Sequence, residues 1–116
     1  MPDVTIYHNP RCGMSRKTLE LIRKKGIEPK VIEYLKTPPT ARDLDEILKL
    51  LSMEPRSLIR KKEPEYAKHK LDNPKLTRTE LINAMVKYPI LIQRPIVLSK
   101  DMAALGRPPE NVEKIL

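Results

Sequence analysis

The sequence predicts a single α/β domain with a mixed sheet whose two halves are separated by a helical insertion. Three observations predict it. An alternating β-branched run near the N-terminus is followed by a loop, a helical pattern and a second β-branched run; a long middle stretch then carries helical periodicity; and strand composition returns close to Pro95. A chain of 116 residues is the length of one ordinary domain, which buries about two-thirds of its unfolded surface on folding.

Val4-Thr5-Ile6-Tyr7 alternates apolar and polar residues and reads as a strand ending near His8. Asn9-Pro10-Arg11-Cys12-Gly13 carries turn residues, and good helix formers run from about Met14 to Lys25, with Leu19 and Ile22 on one face and Gly26 as the stop. Val31-Ile32-Glu33-Tyr34-Leu35 is a second strand, joined to the first by a crossover that should be right-handed. Thr37-Pro38-Pro39-Thr40 marks a boundary, beyond which Leu44, Ile47, Leu48 and Leu51 form a buried stripe behind a Thr40 cap. Shorter helices begin near Pro55 and Pro64, where proline is tolerated in a first turn. Thr77 followed by Glu80 is a capping box, and its helix buries Leu81, Ala84, Met85 and Tyr88 before Pro89 closes it. The insertion thus covers about residues 40–88. Pro95-Ile96-Val97-Leu98 returns to strand, Lys100-Asp101 turns into Met102-Ala103-Ala104-Leu105, and Pro108-Pro109-Glu110-Asn111-Val112 starts a last helix. This order resembles the thioredoxin fold with a helical insertion between its halves.

The core must be aliphatic, because there is no Phe or Trp, and the four tyrosines are expected at its edges. The formal charge of +8, from 23 basic and 15 acidic side chains, favours anionic ligands. The basic residues are spread along the chain without an aromatic stacking surface, which argues against nucleic acid. Met1-Pro2-Asp3-Val4 has neither a basic start nor an apolar run, and no stretch approaches membrane-spanning length, so a cytoplasmic location without membrane contact is expected. One cysteine excludes an intrachain disulfide, so any disulfide chemistry involves a second molecule. Two histidines without clustered cysteines or carboxylates give no metal site, and no bound cofactor is expected.

Cys12 lies between a strand-loop and a helix start, where free amides and the helix dipole favour negative charge. His8, Arg11 and Arg16 are placed to add positive field, and Ser15 to hydrogen-bond the sulfur. A lone cysteine is more often a small inert hydrophobe, but such a residue needs neither basic neighbours nor a helix start. The same place suits a tetrahedral oxyanion held by amides and guanidiniums. Arg94 and Arg107 stand out among the arginines because each precedes a proline at a segment junction.

Tyr7-His8-Asn9-Pro10-Arg11-Cys12-Gly13-Met14-Ser15-Arg16 resembles the signature loop of the glutaredoxin-coupled arsenate reductases, H-N-P-x-C-x-x-S-R. Leu58-Ile59-Arg60-Lys61, Ile90 through Val97 and Gly106-Arg107-Pro108-Pro109-Glu110 resemble further segments of that family, in the expected order along nearly the whole chain. The resemblance implies that Cys12 is the nucleophile, that His8 and Ser15 favour its thiolate, and that Arg60, Arg94 and Arg107 bind the oxyanion. It also implies a cis-proline at Pro95 beside the cysteine. The implied reaction reduces arsenate to arsenite through a covalent adduct on Cys12, with glutathione as co-substrate and glutaredoxin as the protein partner. Met14 departs from the family pattern, standing where a small hydroxyl residue is usual. Two alternatives are a glutathione-dependent thiol oxidoreductase acting on another substrate and a redox-sensing regulator that binds RNA polymerase. Ser15 occupies the place of the second cysteine in the C-x-x-C switch of such regulators.

Overall fold

The computed structural model describes residues 3–116; Met1 and Pro2, which head the N-terminal stretch read above, lie outside them. The chain forms two compact units, one built from the residues up to Thr37 together with Arg94–Leu116, the other from Pro38–Gln93.

The first unit holds a four-stranded mixed sheet. Its strands are β1 (Val4–His8), β2 (Lys30–Glu33), β3 (Ile96–Ser99) and β4 (Met102–Leu105), in the order β2-β1-β3-β4. β1 pairs parallel with β2 through helix α1 (Gly13–Lys24) and antiparallel with β3, which pairs antiparallel with β4. Gly26 ends the turn after α1 at φ +80, a backbone conformation that glycine adopts without steric cost. Val4 and Ile6 of β1, Ile22 of α1, Val97 of β3, and Val112 and Ile115 form one buried aliphatic cluster.

Strand register decides what surrounds the cysteine loop. Tyr7 is paired with Ile96, and Ile96 with Leu105. The end of β1, the start of β3 and the end of β4 therefore emerge at one edge of the sheet, carrying Cys12, Arg94 and Arg107 with them.

The first unit differs from expectation in three places. β2 ends at Glu33, whose carbonyl accepts the N–H groups of Lys36 and Thr37 at 3.0 and 2.9 Å and so turns the chain. Tyr34 and Tyr7 are core residues, 1% and 8% exposed, rather than edge residues; with no Phe or Trp in the chain, tyrosine supplies the large rings. The last segment, Pro109–Ile115, is a 3-10 helix. It is held by i to i+3 bonds, such as Asn111 N–H to the Pro108 carbonyl at 3.0 Å, and by the Asn111 amide donating to the Arg107 carbonyl at 3.0 Å.

The second unit contains α2 (Ala41–Leu51), α3 (Pro55–Leu58), α4 (Pro64–Lys68) and α5 (Arg78–Lys87). Thr40 and Thr77 both complete capping boxes, with Asp43 and Glu80. α2 buries Leu44, Ile47 and Leu48 as expected, with Leu51 only half-buried. α5 buries Leu81, Ile82 and Met85. Ile82 thus takes the place expected for Ala84 and Tyr88, which are half-buried; Tyr88 instead stacks on His69 with ring centroids 4.2 Å apart. Arg78 joins α5 to α2 through Asp45, with Nη2 and Oδ1 2.9 Å apart. Among the described residues no helix is long and apolar enough to cross a membrane.

Candidate active site

Asn9-Pro10-Arg11 forms the turn that delivers Cys12 to the start of α1. The Cys12 N–H donates to the Asn9 carbonyl at 3.0 Å, and the Arg11 N–H donates to Asn9 Oδ1, also at 3.0 Å. Cys12 is extended, at φ −93 and ψ 122, and occupies the N-cap position. Its carbonyl accepts the Arg16 N–H at 3.0 Å as the first bond of the helix. No hydrogen bond of ordinary length joins the sulfur to the first-turn amides. The helix start nonetheless acts on it electrostatically. Partial burial pushes the thiol up, but the Ser15 N–H, the Arg94 guanidinium acting as both donor and charge, and the Met14 N–H outweigh that effect and hold Cys12 below its ordinary value.

Ser15 therefore reaches the sulfur through its backbone. Its side chain is engaged elsewhere: Oγ accepts the Asn9 N–H at 3.0 Å and lies 2.6 Å from His8 Nδ1. His8, Asn9 and Ser15 are all buried. Burial lowers the His8 pKa; Glu33 opposes that shift, while Arg23 and Arg16 add to it. The imidazole is consequently neutral at neutral pH and does not supply the positive field expected of it. Arg16 is also turned away, its Nη1 donating to the Pro10 carbonyl at 2.8 Å. The guanidinium that acts on the sulfur is that of Arg94. Met14 contributes through a backbone N–H, so the departure of its side chain from the family pattern leaves that contribution intact.

Arg94 is joined to Pro95 by a cis peptide bond, as Arg107 is to Pro108. Arg107 Nη1 donates to the Arg94 carbonyl at 3.1 Å, linking the two arginine segments. Nε and Nη1 of Arg94 are buried without an acceptor among the described residues. Burying an unpaired donor costs about 1–3 kcal/mol, more for a charged group, so an acceptor placed at these two positions would be favoured. Six of the expected residues, His8, Cys12, Ser15, Arg94, Pro95 and Arg107, thus belong to one compact unit. Arg60 belongs to the other. Its N–H donates to the Leu91 carbonyl at 2.7 Å, and its guanidinium pairs with Glu63 at 3.3 Å. Among the described residues no three His, Cys, Asp or Glu side chains gather as metal ligands.

Two contributors were missed. Thr18 is fully buried on α1 and donates to the Met14 carbonyl at 2.7 Å. It lies against Gly106, where a Cβ would come within 2.9 Å of Thr18 Cγ2 and 2.7 Å of Pro95 Cγ. Gly106 N–H donates to the Pro95 carbonyl at 3.0 Å. This contact packs the helix that follows Cys12 against the segments that carry Arg94 and Arg107. The lone Gly before Arg107 was its only trace in the sequence.

A model of the ArsC family matches residues 7–115. The chain is 43% identical over 117 residues to an arsenate reductase of Neisseria meningitidis serogroup A, covering 100% of both chains. It is 46% identical over 116 residues to an arsenate reductase of Escherichia coli, covering 100% of this chain and 82% of that one. A solved structure of an arsenate reductase from Vibrio cholerae superposes with a TM-score of 0.95, at 44% identity over 97% of each chain. The likeness extends from the strand before the cysteine loop to the final 3-10 segment, and the chain belongs to the ArsC family, sharing its thioredoxin-like α/β fold.

Proposed function

We propose that this protein is an arsenate reductase that works through a covalent adduct on Cys12. The observation that carries the proposal is a cysteine with a lowered pKa acted on by the same guanidinium whose Nε and Nη1 are buried without partners. A tetrahedral oxyanion supplies acceptors for those donors and an electrophile for the sulfur in one molecule. In this reading Cys12 attacks arsenic and displaces one oxygen, which leaves as water after protonation. Arg94 and Arg107 hold the remaining oxygens. His8 and Ser15 act indirectly, by holding the loop that aims the first-turn amides. Pro95 shapes the segment that presents Arg94, and Arg60 enters on the strength of the family motif.

Reducing arsenic from As(V) to As(III) takes two electrons, which two thiols provide as they become a disulfide. The chain has one cysteine. The second thiol must come from outside, and glutathione, with glutaredoxin to resolve the product, fits that requirement. A cytoplasmic setting, where such thiols are kept reduced, suits the same chemistry.

The test is a coupled assay following NADPH oxidation with glutathione, glutathione reductase, glutaredoxin and arsenate. We expect oxidation that depends on arsenate and stops when either thiol donor is omitted. Absence of arsenate-dependent oxidation, with Cys12 still forming a mixed disulfide with glutathione, would instead favour a thiol oxidoreductase acting on another substrate.

A further inference from the structure

Asn9 makes a hydrogen bond with each of three groups that control the cysteine loop. Its side-chain Oδ1 accepts the Arg11 N–H at 3.0 Å, closing an Asx turn over Pro10. Its carbonyl accepts the Cys12 N–H at 3.0 Å, closing the overlapping β-turn. Its own N–H donates to Ser15 Oγ at 3.0 Å, the oxygen that also meets His8 Nδ1. Asn9 is buried, and its bond to Ser15 Oγ lies in the interior, away from competition with water.

We propose that Asn9 is a positioning residue for the nucleophile: its Asx turn fixes the approach of the chain to α1, and its N–H anchors Ser15, so that the first-turn amides face the Cys12 sulfur. The argument is geometric. Cys12 is the N-cap of α1, and a side chain there meets the N2 and N3 amides, which are those of Met14 and Ser15. Ser15 is tied to Asn9 by its side chain while its backbone serves Cys12. A turn that opened would move both amides relative to the sulfur without changing any group that touches it. Pro10 assists by fixing its own φ, but it has no N–H and cannot make any of the donations involved.

This inference rests on Cys12 being the nucleophile, and the experiment separates the two. The midpoint for forming the Cys12 thiolate is read from the rate of alkylation by iodoacetamide against pH, which reports this residue because the chain has one cysteine. Asn9→Ala removes the Oδ1 acceptor and keeps the backbone groups; Asn9→Ser restores a weaker acceptor in the same turn. We expect Asn9→Ala to raise the midpoint by roughly 0.5–1 pH unit, the size of one net hydrogen bond, and to lower arsenate turnover at neutral pH. Asn9→Ser should fall between Asn9→Ala and the parent, with melting temperatures that do not follow the midpoints. An unchanged midpoint in Asn9→Ala would overturn the proposal, as would a serine variant no better than alanine. Loss of the fold in Asn9→Ala would overturn it as well, since Asn9 would then be a stability residue. A parent midpoint at or above that of a free thiol would instead fault the nucleophile itself.

Discussion

Cys12 occupies an N-cap position but makes no side-chain cap bond. Serine is among the best residues there and cysteine is not. Cys12→Ser should therefore abolish arsenate reduction while raising the melting temperature, by roughly 4 °C for a cap worth about 1 kcal/mol. Residual turnover, or a drop in thermal stability, would contradict the account of this position. His8 yields a pH prediction. Its folded pKa lies below the unfolded value of about 6.5, so between the two the unfolded chain binds more protons and stability rises with pH. The contribution is present above about pH 6.5 and is lost as pH falls through the folded value. Melting temperatures measured from pH 7.5 down to 5 should thus decline in the parent and decline less in His8→Gln. The cysteine itself was legible from the turn residues and helix start around it. The neutrality of His8 was not, because it depends on burial, which one sequence does not display.

The elements most legible in the sequence were those whose evidence is local. Thr77 with Glu80, and the stripe of Leu44, Ile47 and Leu48, reappear as a capping box and a buried face. The 3-10 character of the final segment escaped, because i to i+3 and i to i+4 bonding share nearly the same periodicity over seven residues. The contact of α1 with Gly106 also escaped, since it joins positions far apart in the chain. It makes a strong prediction. Gly106→Ala would drive a methyl to within 2.7 Å of Pro95 Cγ, and overpacking of this kind typically costs 1–3 kcal/mol. Because Thr18 supplies part of the obstruction, the loss on chemical denaturation should be smaller in a Thr18→Ala background. Simple additivity of the two substitutions would argue against a shared contact.

On the scale of the whole molecule, the sequence offers many arginines and no means of ranking them beyond the prolines after Arg94 and Arg107. The sheet register does the selecting, by bringing the ends of β1 and β4 and the start of β3 to one edge. Arg94→Lys keeps the charge but changes the donors now left unpaired, so it should raise the KM for arsenate by about 10-fold or more. Arg107→Lys and Arg60→Lys should have smaller effects in the same direction, and Arg42→Lys, an exposed control, should have none. Equal kinetics across the four variants would remove the arginines from the site. The layout of the first unit has a further consequence for synthesis. Its sheet is assembled from both ends of the chain, with Pro38–Gln93 made in between. A nascent polypeptide released from the ribosome only as far as Gln93 already contains Cys12, its turn and its helix, yet lacks both Arg94 and the central neighbour β3. Until Arg94 is made, the sulfur has the amides of Ser15 and Met14 to favour its thiolate but not the guanidinium that acts on it in the folded first unit.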